Sequence, residues 1–361
     1  MIKAMDLWLP GYLAHKRRKP SRDRTTHILL AVCDHYEPWH QATRGQEEAL
    51  QRLSRWQDAY PKVQSIARDF DGLPPVHTFF FPVEQYDNLV VAELAKLCSS
   101  GAGEVEIHLH HDGDTALTLR DQLVRGRDHL AEHGLLSVGP EGLAYGFIHG
   151  NWAICNSHPE GRFCGVNNEL SVLRNTGCYA DFTMPSAPDR CQSKKVNTIY
   201  FARDTGMPRA HDFGNPVRAC LNSPKDCLLM VQGPLNLNWK RRKAGVLPRL
   251  ENGDLTEANP PNLDRFKLWL KSNIHVEGRP DWLFVKLHTH GCKPSNMNML
   301  LGGKLQEFYE QIACYCAQKD GLALHFVSSR EMVNIILAAE AGEEGDPGQY
   351  RDYRYKLRAV R

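Results

Sequence analysis

The sequence predicts an α/β protein whose parallel strands curl into a closed or nearly closed barrel. Three observations carry this reading. Apolar strand-like runs alternate with amphipathic helical runs along the 361 residues, as parallel βα units require. The strand count is near that of a barrel. Several strands also end alike: HILLAVCDHYEP (27–38), EVEIHLHHDGDT (104–115) and WLFVKLHTHG (282–291) each run from apolar residues into His, Asp or Glu. Strand ends that deliver imidazoles and carboxylates to a loop mouth are how such sheets build metal sites.

The elements follow in order. Residues 1–25 read as an N-terminal extension in which Trp8, Leu9, Tyr12 and Leu13 are apolar and 15–19 are basic. Such an arm packs on its own domain or a partner; aromatic and basic residues together also suit a weak membrane-surface contact. The patch Trp239-Lys240-Arg241-Arg242-Lys243 has the same character, with a solvated face as its default. Strand His27–Cys33 ends at Asp34. Helix Gln46–Phe70 sets Leu50, Leu53, Trp56 and Tyr60 on one face. Strand Val76–Phe81 is followed by helix Asp87–Cys98, and the strand within 104–110 by helix Leu117–His133. Strand Leu143–Ile148 precedes a long polar loop and a helix Asn168–Asn175, with Gly177 in C-cap position. A short strand and turn, Asp181–Pro188, comes next. Strands are expected near Thr198–Ala202, Cys227–Gln232, Trp282–His288 and Leu322–Val327. Helices are expected at Leu263–Ile274, Lys304–Asp320 and Ser329–Ala341, with a loop over 251–262. A single catalytic domain therefore spans 26–341, and the tail 342–361 is polar and expected to be loosely held.

Composition narrows the function. Hydrophobic residues at 42% and charged residues at 24% are those of a globular chain. A net charge of +2 gives no basic field for nucleic acid. The 11 cysteines form no Cys-x-x-Cys pair, and no secretory signal or membrane-length apolar run stands out, so reduced thiols and a cytoplasmic location are expected, with at most peripheral membrane contact. Many of the 17 histidines sit at predicted strand ends, where imidazole binds metals and moves protons.

In EVEIHLHHDGDT, Val105, Ile107 and Leu109 alternate with Glu106, His108 and His110, so His108 and His110 share a face, as do His288 and His290. His108 and His290 read as hydrogen-bonded supports of a site, and His111 and Asp112 as bystanders pointing away. The segment 146–169 ends a strand in His149 and continues with Asn151 and Trp152, an amide and an aromatic face of the kind that bind sugars.

Five segments, in order, resemble the motifs of the polysaccharide deacetylase (NodB-homology, carbohydrate esterase family 4-like) superfamily: AVCDHYEP, HTFFFPVEQY, EIHLHHDGD, NNELSVLRNTGCYADFTMPSAP and VKLHTHG. The chain looks like a divergent member over residues 27–330. The resemblance implies a distorted (β/α)7-type barrel and a metal-dependent hydrolase that removes an N-acetyl or related acyl group from a sugar, in polysaccharide or glycoconjugate biosynthesis. The substrate would be a carbohydrate, lipid-linked or free. Asp34 and His35 stand where that family has paired aspartates. His110 matches its first histidine, and Asp114 stands four residues later where a second is usual. Thr183 replaces an arginine, Pro185 is kept, and residues 116–166 look like an inserted loop. These matches imply His35, His110 and Asp114 as metal ligands, Asp34 as general base, His288 as general acid, and Ser186 as an oxyanion-hole backbone donor. His and carboxylate ligands suit Zn²⁺, and also Co²⁺ or Ni²⁺. Because Asp34 and His35 alternate, only one can face the barrel unless the chain kinks; Asp34 would then be the ligand and Glu37 the base. Two alternatives stand beside the deacetylase. One is another metal-dependent hydrolase of C–N or glycosidic bonds; the other is an inactive glycan-binding member.

Overall fold

The structure, a computed structural model, describes residues 4–15, 24–222 and 224–358. Its strands are β1 (Thr26–His35), β2 (His77–Pro82), β3 (Gly103–Leu109), β4 (Ser137–Gly139), β5 (Gly142–His149), β6 (Cys178–Asp181), β7 (Ile199–Ala202) and β8 (Asn215–Pro216). They continue with β9 (Leu228–Val231), the hairpin β10 (Asn236–Lys243) and β11 (Leu247–Glu251), β12 (Asp254–Leu255), β13 (Trp282–Thr289), β14 (Leu322–Phe326) and β15 (Lys356–Leu357). The helices are α1 (Met5–Ala14), α2 (Gln46–Ser65), α3 (Asn88–Ser99), α4 (Ala116–Glu132), α5 (Glu169–Asn175), α6 (Leu263–Leu270), α7 (Pro294–Leu301), α8 (Lys304–Ala317) and α9 (Ser329–Ala341).

One large sheet runs β12-β13-β1-β2-β3-β5-β6-β9-β7-β8. From β13 to β9 every neighbouring pair is parallel, and β7 joins antiparallel. β14 pairs with the first half of β1, beneath β2, which pairs only with its last residues. β1 is buried along its whole length, which explains its continuous apolar run.

The expected closed barrel is corrected to an open, curled sheet: among the described residues no ladder joins the β9–β7 side to β13. The two sides approach without pairing. Lys286 Nζ on β13 donates to the Phe182 carbonyl at 2.6 Å. A Cβ on Gly233 would stand 2.5 Å from the Lys286 carbonyl oxygen. The chain after β9 enters Gly233-Pro234, and proline has no N–H to extend a ladder.

Side-chain alternation divides the core in two. Leu29, Ala31 and Cys33 of β1 pack inside the curl with Phe80, Ile148, Phe182 and Phe284. Ile28, Leu30 and Val32 pack outward with Phe79, Phe81, Val105, Ile107 and Leu109 against the helices. Burying each such phenylalanine stabilises the fold by about 1.5–3 kcal/mol. Helix ends are capped as their residues dictate: Asp87 accepts the Leu89 and Val90 N–H groups, and Ser328 and Glu331 form a capping box.

Three expectations about organisation change. Residues 116–166 are not one inserted loop, because β5 lies between β3 and β6 and α4 leads into it; the excursion narrows to the segment after His149. The tail is not loose as far as 358: Arg351 bonds Asp69 and Asp71 at 2.9 and 2.7 Å, and the Tyr355 ring stacks on Tyr179. The N-terminal arm forms α1, whose Trp8 is buried with Ala187, Val196 and Leu235 of its own chain. Basic residues 16–19 lie outside the described residues. Among the described residues, no helix is long and apolar enough to cross a membrane.

Candidate metal centre

Alternation places the odd residue His35 at the inner mouth of the curl, above Cys33, and turns Asp34 outward toward α2. Asp34 is fully buried there. It accepts His77 Nε2–H at 2.9 Å and the Gly291 N–H at 2.5 Å. A Cβ on Gly291 would collide with its carboxylate, so Asp34 has no room for water or substrate. The structure therefore does not bring Asp34 to the place expected of a general base.

Glu37, just beyond β1, takes the central position. Its Oε1 lies 3.3 Å from His108 Nε2 and 3.1 Å from His110 Nε2. Its Oε2 lies 3.3 Å from His40 Nδ1 and 3.6 Å from His290 Nδ1. The His35 ring stands 4.7 Å from that of His108 and 4.5 Å from that of His290. His35, Glu37 and His108 each offer a ligand atom within 4.8 Å of the others and could hold a metal ion.

The hydrogen bonds behind the imidazoles matter as much as those in front. His108 Nδ1 meets the Ile148 carbonyl at 3.1 Å, so it donates, and neutral Nε2 presents a lone pair toward Glu37. His110 Nδ1 donates to Glu84 Oε1 at 2.6 Å, which turns its Nε2 to the same carboxylate. Metal-ligating histidines are oriented in this way by carbonyls and carboxylates. Burial holds His108 below the ordinary imidazole value. Burial, with His290 and His108 alongside, holds His35 far below it. Burial works against protonation of His110 too, but Glu37 and Glu84 raise it to about 9. Burial would raise the Glu37 carboxyl, yet the imidazoles of His108, His110 and His290 around it outweigh burial and hold it well below the carboxylate range.

The other expected residues lie as follows. His288 shares the inner face, and its Nδ1 is buried without a hydrogen-bond partner. Burial, next to Lys286 and His290, keeps it neutral. Asp114 is not with His110; it accepts Thr118 Oγ1–H at 2.6 Å and sits 3.2 Å from His111 Nδ1, on the outer side. His111 does point away from the mouth. It meets Glu169 there, at 3.3 Å, alongside His149. Asp112 ties down the Phe163 N–H. Asn151 donates its N–H to His149 Nδ1, and Trp152 is half-buried against the main core. The Ser186 N–H is taken by Gln192 Oε1 at 2.9 Å, so it does not serve an oxyanion hole.

Glu84, His40, Cys164 and Glu169 escaped the sequence reading. Glu84 had a signal, since TFFFPVE ends a strand in a carboxylate as the other site strands do. Another titratable group, His27, His325, Asp69, Asp71 and Asp346, lies at the opposite end of β1. There His325 Nδ1 donates to Asp71 and Arg351 pairs with both Asp69 and Asp71, so its charges are already matched.

No family model and no curated protein matches the sequence. A crystal structure described as a "putative polysaccharide deacetylase from Mycobacterium smegmatis" is similar over 92% of this chain and 97% of its own, at 14% identity and a TM-score of 0.46. That likeness is a distant structural one.

Proposed function

We propose that the chain is a metal-dependent hydrolase that removes an N-acetyl or related acyl group from a sugar. The observation that carries it is the Glu37 carboxylate facing the Nε2 lone pair of neutral, back-bonded His108, with His35 beside them, at the mouth of the sheet. Acceptor facing acceptor is unfavourable unless a cation or proton stands between them. The donor set fits a divalent ion: His35, Glu37 and His108 supply two imidazoles and a carboxylate, the three-ligand pattern that leaves an open position in catalytic Zn²⁺ sites. When bound, the ion supplies Lewis-acid polarisation of the acyl oxygen and acidifies water beside it. The ordered motifs of the sequence support an acylated sugar as the substrate.

The side chains then divide the work. Glu84 and Glu37 hold His110 protonated, with its Nε2–H turned into the site, where it can give a proton to the leaving amine. His110 replaces His288 as the acid, because His288 is held neutral, and Asp34, sealed behind Gly291, is not placed to act as the base. Trp39, half-buried beside Phe81 and two residues from Glu37, offers an aromatic edge for a sugar ring at the same mouth.

The test is acetate release from N-acetylated oligosaccharides by protein loaded with Zn²⁺ or Co²⁺. Glu37→Gln and His108→Ala should each lower release by at least 100-fold and cost one bound ion. Release of new reducing ends without acetate would favour glycoside cleavage. Full activity in excess chelator, or in both variants, would overturn the assignment.

A further inference from the structure

The outer side of the same strand ends holds a second cluster that the proposed reaction does not use. His111 follows β3, His149 ends β5, Cys164 lies in the excursion after β5, and Glu169 opens α5. All four side chains are buried. Their ligand atoms lie within 4.8 Å of one another. We propose that these four residues form a closed structural Zn²⁺ site that staples the excursion to the sheet.

The spacing is within a few tenths of an ångström of a coordination shell. Glu169 Oε1 lies 3.3 Å from His111 Nε2 and 3.9 Å from His149 Nε2, and its Oε2 lies 3.2 Å from Cys164 Sγ. Tetrahedral Zn²⁺ with nitrogen and oxygen at about 2.0–2.2 Å and sulfur at about 2.3 Å sets its ligand atoms roughly 3.3–3.8 Å apart.

The surroundings supply the sulfur with N–H donors and leave an imidazole nitrogen unmet. Cys164 Sγ accepts two backbone N–H groups, from Asn156 at 3.3 Å and Val166 at 3.4 Å. His111 Nδ1 lies 3.2 Å from Asp114 Oδ2, a carboxylate behind a candidate ligand histidine. His149 Nε2 is fully buried and has no hydrogen-bond partner. Left unmet, such a group destabilises the fold. His149 Nδ1 meets the Asn151 N–H at 3.2 Å, so coordination through Nε2 moves the ring proton to Nδ1 and gives up that contact. Cys164 releases its thiol proton to solvent as the Zn–S bond forms. Four protein ligands leave no open position, which distinguishes this site from the one at the mouth.

The experiment uses the full chain purified without chelator. Metal analysis should find two zinc ions per chain, and His108→Ala should keep one. X-ray absorption on that variant, or on wild type after brief EDTA dialysis, should show one sulfur neighbour at about 2.3 Å. Replacement with Co²⁺ should give a thiolate-to-metal charge-transfer band that Cys164→Ser abolishes. If Cys164→Ser fails to fold, the sulfur shell of the His108→Ala protein still decides. A remaining ion with no sulfur neighbour, or no ion beyond the one at Glu37, overturns the proposal. Failure of the hydrolase reading is separate: acetate release would be absent while the sulfur-ligated ion remained.

Discussion

Asp34 and Glu37 are buried carboxylates three residues apart, and their neighbours give them opposite uses. Asp34 faces two donors, the His77 imidazole and the Gly291 amide, and is satisfied by them. Glu37 faces His108, whose proton is engaged by the Ile148 carbonyl. Removing Asp34 therefore damages structure rather than metal binding. Asp34→Ala should cost on the order of 2–4 kcal/mol, because it strands two buried donors, and should leave ion stoichiometry unchanged. Denaturant unfolding and metal analysis on one preparation check both halves. Loss of the mouth ion at unchanged stability would return Asp34 to the site. The sequence held the alternation that separates Asp34 from His35, but not the direction in which it resolves. That direction depends on β1 pairing Cys33 with His288 and Asp34 with Phe79, which no local pattern encodes.

At the scale of elements, β3 serves both clusters by its period of two. His108 and His110 go inward to Glu37, while His111, one step on, goes outward to Glu169. The strand and its two-sidedness were legible from EVEIHLHH. Its partners were less so: Glu169 lies 58 residues from His111, and the motif that contains it does not single it out. The turn at Val83–Gln85, which carries Glu84, is positioned by α4. A Cβ on Gly126 would stand 2.4 Å from Val83 Cβ. Gly→Ala inside a helix normally stabilises by about 1 kcal/mol, but overpacking costs about 1–3 kcal/mol. Here the neighbour is a buried branched side chain next to the turn, so the clash should win. Gly126→Ala should lower stability by about 1–2 kcal/mol and, by moving Glu84 off His110, lower activity about as far as Glu84→Gln does. Stability equal to or above wild type would show that α4 shifts without disturbing the turn.

At the scale of the molecule, the open sheet keeps polar groups inside its curl, where a sealed apolar barrel would hold only side-chain carbon. Lys286 reaches across the gap to Phe182, and burial lowers its ammonium to about 8. Asp181, at the end of β6 and opposite Phe147 and Met230, is buried on the outer face of the sheet. Burial raises its carboxyl from 3.8 to about 7, against two hydrogen bonds from Thr183. A buried carboxyl that keeps its proton above the unfolded value stabilises the fold fully below pH 3.8 and loses that contribution as pH rises through 7. The difference of about 3 pH units corresponds to an upper bound on the order of 4 kcal/mol. An asparagine at 181 has no proton to lose and retains acceptors and donors for Thr183. Asp181→Asn should therefore match wild type near pH 4 and gain on it steadily toward neutrality, by about 2–3 kcal/mol between pH 5 and 8. Urea unfolding at several pH values measures the gap directly, because contributions from the other titrating groups cancel between the two proteins. A gap that stays constant from pH 5 to 8 would mean that Asp181 ionises in the folded chain as it does in the unfolded one.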